Sequence, residues 1–418
     1  MSKKGDIRQV THLQYTCWPS HANPSNPLPL LTFIRTSLRH ADISDADAPM
    51  IVHTNLNNSR AGIFITIAST LKQLKVSGEI NIPSFLKQAP SKGQDLLRSA
   101  KDFIYIHDVL VEAIVAGETN IKNSYLSRYI NSLQCCQYSP LGNKYHIERQ
   151  YELLNIDFIK KESSYAPKHE DMVWLPGYLS HQHLVLASYP HPDQTQQFWR
   201  LMLEHNVHTI VVLKSDPSSS FPDLTSDGPS VGPVNVTHRD DEISYDFKSK
   251  NFILEFGMSM RKFVKVIYAD NFMSDFENIE DNLTLLETVH TRQNSLNKSA
   301  PIFVLDTAVS GSAGAAFCAL MTVLQQLEIE QHCDVYQAVK TINMMRQGVW
   351  SSPDNLLQIY KIAEMLTNKG TGGYQEKNNN ILNNKRSSQL KLNICNWTNK
   401  SKSSNTYKEN NVITDGWF

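Results

Sequence analysis

Val52-His53-Thr54-Asn55-Leu56-Asn57-Asn58-Ser59-Arg60-Ala61-Gly62 and Val304-Leu305-Asp306-Thr307-Ala308-Val309-Ser310-Gly311-Ser312-Ala313-Gly314 read as two damaged copies of one loop. Each leaves an apolar run that reads as a strand, Pro49 to Val52 or Pro301 to Val304. Each then crosses a turn of small residues and enters an apolar helix, from Ile63 or from Ala315. A strand, a tight loop and a helix N-terminus in that order aim backbone N–H groups and the positive end of the helix dipole at one point. Such a cradle suits a dianionic phosphate.

An internal repeat with an offset of about 250 residues extends outward from the two loops. Ahead of the first, Val10-Thr11-His12-Leu13-Gln14-Tyr15 alternates like a half-buried strand and reaches Trp18-Pro19-Ser20-His21; Leu28 to Leu38 then reads as a helix. Ahead of the second come Val264-Lys265-Val266-Ile267-Tyr268, then Phe272-Met273-Ser274, then a helix from Leu283 to Val289. After each loop a second helix ends the copy, through Lys101 to Leu110 or through Asn355 to Ile362. Arg98 follows Thr54 by 44 residues and Ser351 follows Asp306 by 45, so one fold used twice is expected.

The copies are unequal. Residues 143 to 263 give the second a front half: a helix through Tyr151 to Leu154, a strand His183 to Ala187, a helix Thr195 to His205 and a buried strand Thr209 to Leu213. Nothing comparable precedes residue 10, so the first copy is expected to begin in mid-domain, lacking several strands and leaving a sheet edge exposed. The expected organisation is a first domain over 1–133, a linker over 134–142, a second domain over 143–368 and a disordered tail over 369–418. That tail holds 11 Asn, with 8 Lys and Arg against 3 Asp and Glu, a net of +5. Such a composition buries too little surface to offset its ordering entropy.

With 418 residues, 41% apolar and a net charge of −1, the chain has material for two cores and no electrostatic footprint for nucleic acid. Its apolar runs are broken well short of a bilayer span, and no signal-peptide core follows Met1, so the chain as written is expected in the cytoplasm. Six cysteines without CxxC spacing predict reduced thiols. His181-Gln182-His183 lacks partners at ligand spacing, so no metal is expected, and no cofactor.

The loops resemble the signature H-C-x-x-x-x-x-R-[ST]-G of the protein tyrosine phosphatases. The whole of residues 8 to 368 resembles the cytoplasmic tandem of a receptor-type tyrosine-protein phosphatase, nearest the gamma and zeta subgroup. Trp18-Pro19 after an alternating strand is similar to the mobile Trp-Pro-Asp loop. Phe85-Leu86-Lys87, Ile104 to Asp108, Phe198-Trp199-Arg200-Leu201-Met202, Ile210 to Leu213, Phe317 to Leu320 and Asn343 to Val349 match in order and spacing. The resemblance implies an α/β fold, a twisted mixed β-sheet flanked by helices, in one truncated and one complete copy.

It also implies four catalytic parts: a thiolate, an anion cradle, an acid for the leaving phenol and a side chain that positions water. In the first copy Thr54 stands at the nucleophile position, Ser20 at the acid and Arg98 at the water-positioning Gln; Arg60, His53 and Gly62 survive as candidate phosphate ligands. In the second copy Asp306, Ser274 and Ser351 stand at those three positions, and Ser312 replaces the arginine. Asp306 would set a negative charge at the base of the pocket, repelling a phosphate charge ~4 Å away by roughly 4 kcal/mol at an effective dielectric of 20. Between Ile159 and Tyr178 the segment that grips phosphotyrosine in the family reads instead as Asp171-Met172-Val173-Trp174-Leu175.

Bland readings stand beside the sharp ones. Arg60 is either an anion ligand or a loop arginine bonded to nearby carbonyls or carboxylates, and His53 orders its loop. Asp306 reads as a carboxylate accepting the loop's own N–H groups before an aspartyl-phosphate nucleophile. Trp18 and Phe272 read as hydrophobic anchors. The resulting expectation is a catalytically inactive pseudophosphatase, a regulatory or interaction module in phosphotyrosine signalling, with phosphotyrosine proteins or another receptor phosphatase domain as partners. The alternatives are a protein tyrosine phosphatase with weak activity, or a fragment of a longer transmembrane receptor phosphatase whose intracellular part this is.

Overall fold

The computed structural model describes residues 10–44, 49–54, 58–89, 96–137, 144–155, 172–178, 183–190, 194–213, 234–243, 247–257, 260–269, 272–273, 279–296, 300–306 and 312–384. They divide into two compact units, one on the described residues up to Gly117 together with Asn383 and Asn384, and one on Glu118–Leu382.

Among the described residues of the first unit four helices form: α1 (Pro27–Ser44), α2 (Asn58–Ser77), α3 (Ile82–Gln88) and α4 (Ala100–Val115). Asn26 starts α1 by accepting the Leu28 N–H at 3.0 Å, Asn81 caps α3 through the Ser84 N–H, and Ser99 caps α4 through the Asp102 N–H. Each satisfies one of the donors a helix start leaves open. The apolar faces close on one core in which Leu31, Ile34, Ile63, Ile67, Ile106 and Val109 are all but inaccessible. Each such side chain contributes roughly 1.5–3 kcal/mol of burial.

The strands expected over Val10–Tyr15 and Pro49–Val52 do not form; both segments lack regular structure, and no strand occurs among the described residues of this unit. The reason is physical: a strand exists only by pairing, and these segments meet no strand to pair with among the described residues. Val10 and Ile51 are correspondingly 81% and 84% exposed.

The second unit opens with β1 (Ile121–Lys122), α5 (Leu126–Leu133), β2 (Cys136–Gln137), β3 (Lys144–Tyr145) and α6 (His146–Leu154). β1 pairs with β11 (His332–Cys333). The division between units therefore falls at Gly117/Glu118, ahead of the expected end of the first domain at residue 133, because that pairing ties the segment to the later chain.

Its sheet runs β4 (Met172–Leu175), β5 (Leu184–Ser188), β10 (Ile302–Asp306), β6 (Thr209–Leu213), β9 (Met260–Ala269), β8 (Lys248–Phe256), β7 (Val234–Ile243) in spatial order. The four from β5 to β9 are parallel; β4, β8 and β7 are antiparallel additions. This is the mixed sheet expected, and β5, β10 and β6 are near-continuous apolar runs because both of their faces are covered. On one face α7 (Thr195–Glu204) inserts Phe198, Trp199 and Met202 against Val185, Ile210, Val266 and Phe303. α8 (Ile279–Leu296), α9 (Ser312–Glu330), α10 (Val335–Met345) and α11 (Pro353–Asn384) complete the unit, with α9 packed on β5 and β10. Buried Lys340 and Asn343 of α10 donate to the carbonyls of Leu153 and Leu154, closing the C-terminus of α6 with a cation and an amide.

The tail differs from expectation over part of its length: α11 continues to Asn384, past residue 369. A helix satisfies its backbone from within and needs no burial to do so, and no proline interrupts 369–384. Residues 385–418 lie outside the described ones.

Candidate functional site

In the first unit Thr54 lies half-buried at the end of the 49–54 segment and α2 begins at Asn58, residues 55–57 between them lying outside the described ones. Gly62, one turn in, is required by contact: a Cβ there would stand 1.8 Å from the Leu96 carbonyl oxygen. Arg60 reaches back to the Trp18-Pro19-Ser20 turn, its Nη2 donating to the carbonyls of Pro19 (2.9 Å) and Ser20 (3.5 Å) and its guanidinium 6.0 Å from the Trp18 ring centroid. Of the two readings of Arg60, this is the arginine bonded to loop carbonyls. Trp18 meets Tyr15 and Tyr105 edge-on, an anchor as expected.

Ser20 is exposed and meets the site through its carbonyl. Arg98 is also exposed, and its backbone N–H donates to Asp102 at 3.2 Å. His53 is exposed and stacks its ring on His12, 5.9 Å away and 10° from parallel.

Asp102 is the residue the sequence reading missed. Its carboxylate takes hydrogen bonds from Ser59 Oγ, Asn23 Nδ2 (3.1 Å) and the Arg98 N–H, joining the start of α2, the turn after Ser20 and the segment before α4. Burial pushes its pKa up, but the bonds from Ser59, Asn23, Arg98 and Ser99 outweigh that and hold it below the usual carboxylate range. The signal was present: Ser99-Ala100-Lys101-Asp102 has a capping Ser and an acid three residues on, the pattern of a helix start.

In the second unit Asp306 ends β10, 1% exposed, and its Oδ2 accepts the Gly314 N–H at 2.8 Å near the start of α9. The carboxylate thus takes a donor of the helix N-terminus, as its bland reading expects. Gly314 is required by closeness, since a Cβ there would lie 2.5 Å from Leu186 Cδ1 and 3.1 Å from Asp306 Oδ2. One turn along α9 the Cys318 thiol is fully buried, and burial together with the Asp306 charge raises its pKa far above that of a free thiol. It is no replacement nucleophile.

Phe272 is 2% exposed and packs edge-on against Phe317 of α9, and the Met273 N–H is held by Asn282 Oδ1 at 3.3 Å. Met273 takes a φ of 59°, a left-handed conformation that is strained for such a side chain. Ser351 is exposed, its N–H and Oγ both spent on Asn355 Oδ1 at the start of α11. Ser274 lies outside the described residues. Asp171-Met172-Val173-Trp174-Leu175 supplies strand β4 from Met172 onward.

Cys135, Cys136, Cys318 and Cys333 are free thiols, whereas Cys17 is disulfide-bonded. The all-reduced expectation fails at Cys17, because spacing along a chain says nothing of cysteines that folding brings together. Among the described residues, no three or more His, Cys, Asp or Glu side chains form a group able to hold a metal, and no helix is long and apolar enough to cross a membrane.

The sequence profile of the family described as Protein-tyrosine phosphatase matches residues 1–112 and 135–364. The chain is 28% identical over 391 residues to a putative receptor-type tyrosine-protein phosphatase, mosPTP-1, of Aedes aegypti, which covers 85% of this chain and 29% of that protein. It is 27% identical over 392 residues to tyrosine-protein phosphatase 99A of Drosophila melanogaster, with 85% and 29% covered. It is 28% identical over 405 residues to receptor-type tyrosine-protein phosphatase zeta of Homo sapiens, with 85% and 17% covered. The chain therefore spans less than a third of the length of these relatives.

Proposed function

Because this chain belongs to the protein-tyrosine phosphatase family, related to its receptor-type members, we propose that it is a pseudophosphatase: two phosphatase-like domains, expected over 1–133 and 143–368, that make contacts in phosphotyrosine signalling without cleaving phosphoesters. The observation that carries this reading is Asp306. It is a buried carboxylate already bonded to Gly314, and the resemblance of its loop to the family signature aligns it with the thiolate. Its negative charge repels phosphate, and no clamping arginine remains to offset that repulsion.

The first domain fails differently. Thr54 offers a hydroxyl whose pKa lies far above that of a thiol, and Ser20 cannot protonate a leaving phenolate. Arg60 keeps the fork that grips phosphate, but its Nη2 is bonded to the Pro19 and Ser20 carbonyls. Any anion must compete with those contacts.

By analogy with the receptor-type relatives, phosphotyrosine proteins or another receptor phosphatase domain are the proposed partners, met by the intracellular part of a longer protein. The test is hydrolysis of a generic aryl phosphate by the full chain. The proposal expects no turnover above the blank; turnover that disappears in Thr54→Ala, Arg60→Ala or Asp306→Ala refutes it.

A further inference from the structure

Cys135 and Cys136 are neighbours in the chain, and both are exposed free thiols, whereas the free thiols of Cys318 and Cys333 are buried. The pair belongs to neither loop. Cys135 follows the end of α5: its N–H donates to the Ser132 carbonyl at 3.2 Å and its Sγ to the Asn131 carbonyl at 3.3 Å. Cys136 opens β2 and pairs with Tyr145 of β3, while Gln137 pairs with Lys144. The Cys136 Sγ makes no hydrogen bond among the described residues. Tyr145 is in turn the residue that starts α6, its N–H donating to Glu148 Oε2 at 2.9 Å, and Lys144 pairs with Glu152 of that helix. The two thiols therefore sit between the end of one helix and the short bridge that ties down the start of the next.

A thiol with a second thiol beside it differs chemically from a lone one, because the neighbour can resolve the first product of oxidation. Consecutive Cα atoms lie about 3.8 Å apart, short of the roughly 4.4–6.8 Å that a disulfide spans. A bond closed between Cys135 and Cys136 is strained on that account, and strained, exposed disulfides are the ones readily reduced again.

We propose that Cys135 and Cys136 are a reversible redox modification site, closed to a disulfide by hydrogen peroxide and reopened by a dithiol reductant, and that closure loosens the β2–β3 bridge at the start of α6. The Cys136 thiolate attacks one peroxide oxygen, the O–O bond breaks, and a sulfenic acid forms as the departing oxygen leaves as water. The Cys135 thiol then attacks the Cys136 sulfur; the S–S bond forms, the S–O bond breaks, and the hydroxyl leaves with the Cys135 proton as a second water. Two thiols are oxidised and one peroxide is reduced. The contacts assign these roles, since the Cys136 Sγ is open and the Cys135 Sγ must first release the Asn131 carbonyl. Closing the ring also distorts the peptide between the two residues, which is anchored on one side to Ser132 and on the other to Tyr145. The first anchor is part of a helix end, but the second is a two-stranded bridge of two residue pairs, the weaker structure, and it gives way. The far end of α6 stays held by Lys340 and Asn343.

The test treats the full chain with a small excess of hydrogen peroxide and reads intact mass, a digest and amide hydrogen exchange. The expected product is a monomer lighter by two hydrogen atoms, the loss lying in the peptide that carries Cys135 and Cys136 and reversed by thioredoxin. Exchange should be at least threefold faster at Gln137 and Lys144 and unchanged at Leu153 and Leu154. Both serine variants change an exposed side chain and should fold normally. Cys135→Ser should leave a sulfenic acid on Cys136 that dimedone traps, and Cys136→Ser should give no such adduct. Separate oxygen adducts on the two cysteines without loss of hydrogen, a disulfide between two chains, or the same loss of hydrogen in either serine variant overturns the proposal. So does a closed pair with unchanged exchange at Gln137 and Lys144.

Discussion

Replacing Asp306 by alanine removes a carboxylate that is 1% exposed and leaves the Gly314 N–H, 2.8 Å from it, without that acceptor. A buried hydrogen bond to a charged group contributes roughly 1.5–3 kcal/mol. The favourable position of a carboxylate near a helix N-terminus adds about 0.3–1 kcal/mol. Relief of the buried charge works in the opposite direction. The expected balance is a loss of about 2 kcal/mol, and at roughly 2–4 °C per kcal/mol for a domain of this size the second unit's Tm falls by about 4–8 °C. Asp306→Asn keeps an oxygen acceptor for the Gly314 N–H and should lose about half as much. Calorimetry of the full chain against both variants reads the effect as a shift of one transition. If Asp306→Ala is as stable as the parent, or more so, the carboxylate is not a structural occupant of the cradle, and a catalytic reason for its retention must be sought.

Four further outcomes follow from the same geometry. Gly62→Ala forces a Cβ onto the Leu96 carbonyl, and since that neighbour is backbone the first unit should lose about 1–3 kcal/mol in denaturant unfolding. Asp102 has a lowered pKa, so its stabilisation is complete above about pH 4 and lost as pH falls through the folded-state value; Asp102→Asn should flatten that part of a stability-against-pH curve. Burial and the nearby His290 push His183 down to about 4, so stability present above pH ~6.5 should fall on the order of 3 kcal/mol toward pH 4, and His183→Gln should remove that slope. Thr54→Cys alone should show no aryl phosphatase turnover, because Ser20 and Arg98 still stand where an acid and a water-positioning amide are needed; adding Ser20→Asp and Arg98→Gln measures how much of the remaining scaffold is competent.

The second unit was legible in the sequence because its signals were redundant. Thr209–Leu213 and Ile302–Val304 are short continuous apolar runs, and each became a strand buried on both faces. Thr195–His205 showed the helical period and packed where a crossover helix must. The same rules misread Val10–Tyr15 and Pro49–Val52, since alternation records a capacity for pairing that no strand among the described residues there fulfils. At the site, Asp306 as an acceptor for its own loop could be read from its position before a helix start. The hub at Asp102 could not be read in full, because Asn23, Ser59 and Arg98 meet it only once the helices have packed.

The most direct test of the central claim is to incubate the full chain with phosphate-labelled aryl phosphate, quench in acid and weigh the intact protein by mass spectrometry. The account predicts an unmodified mass at every time point. A phosphoryl adduct on Thr54 or Asp306 would contradict it.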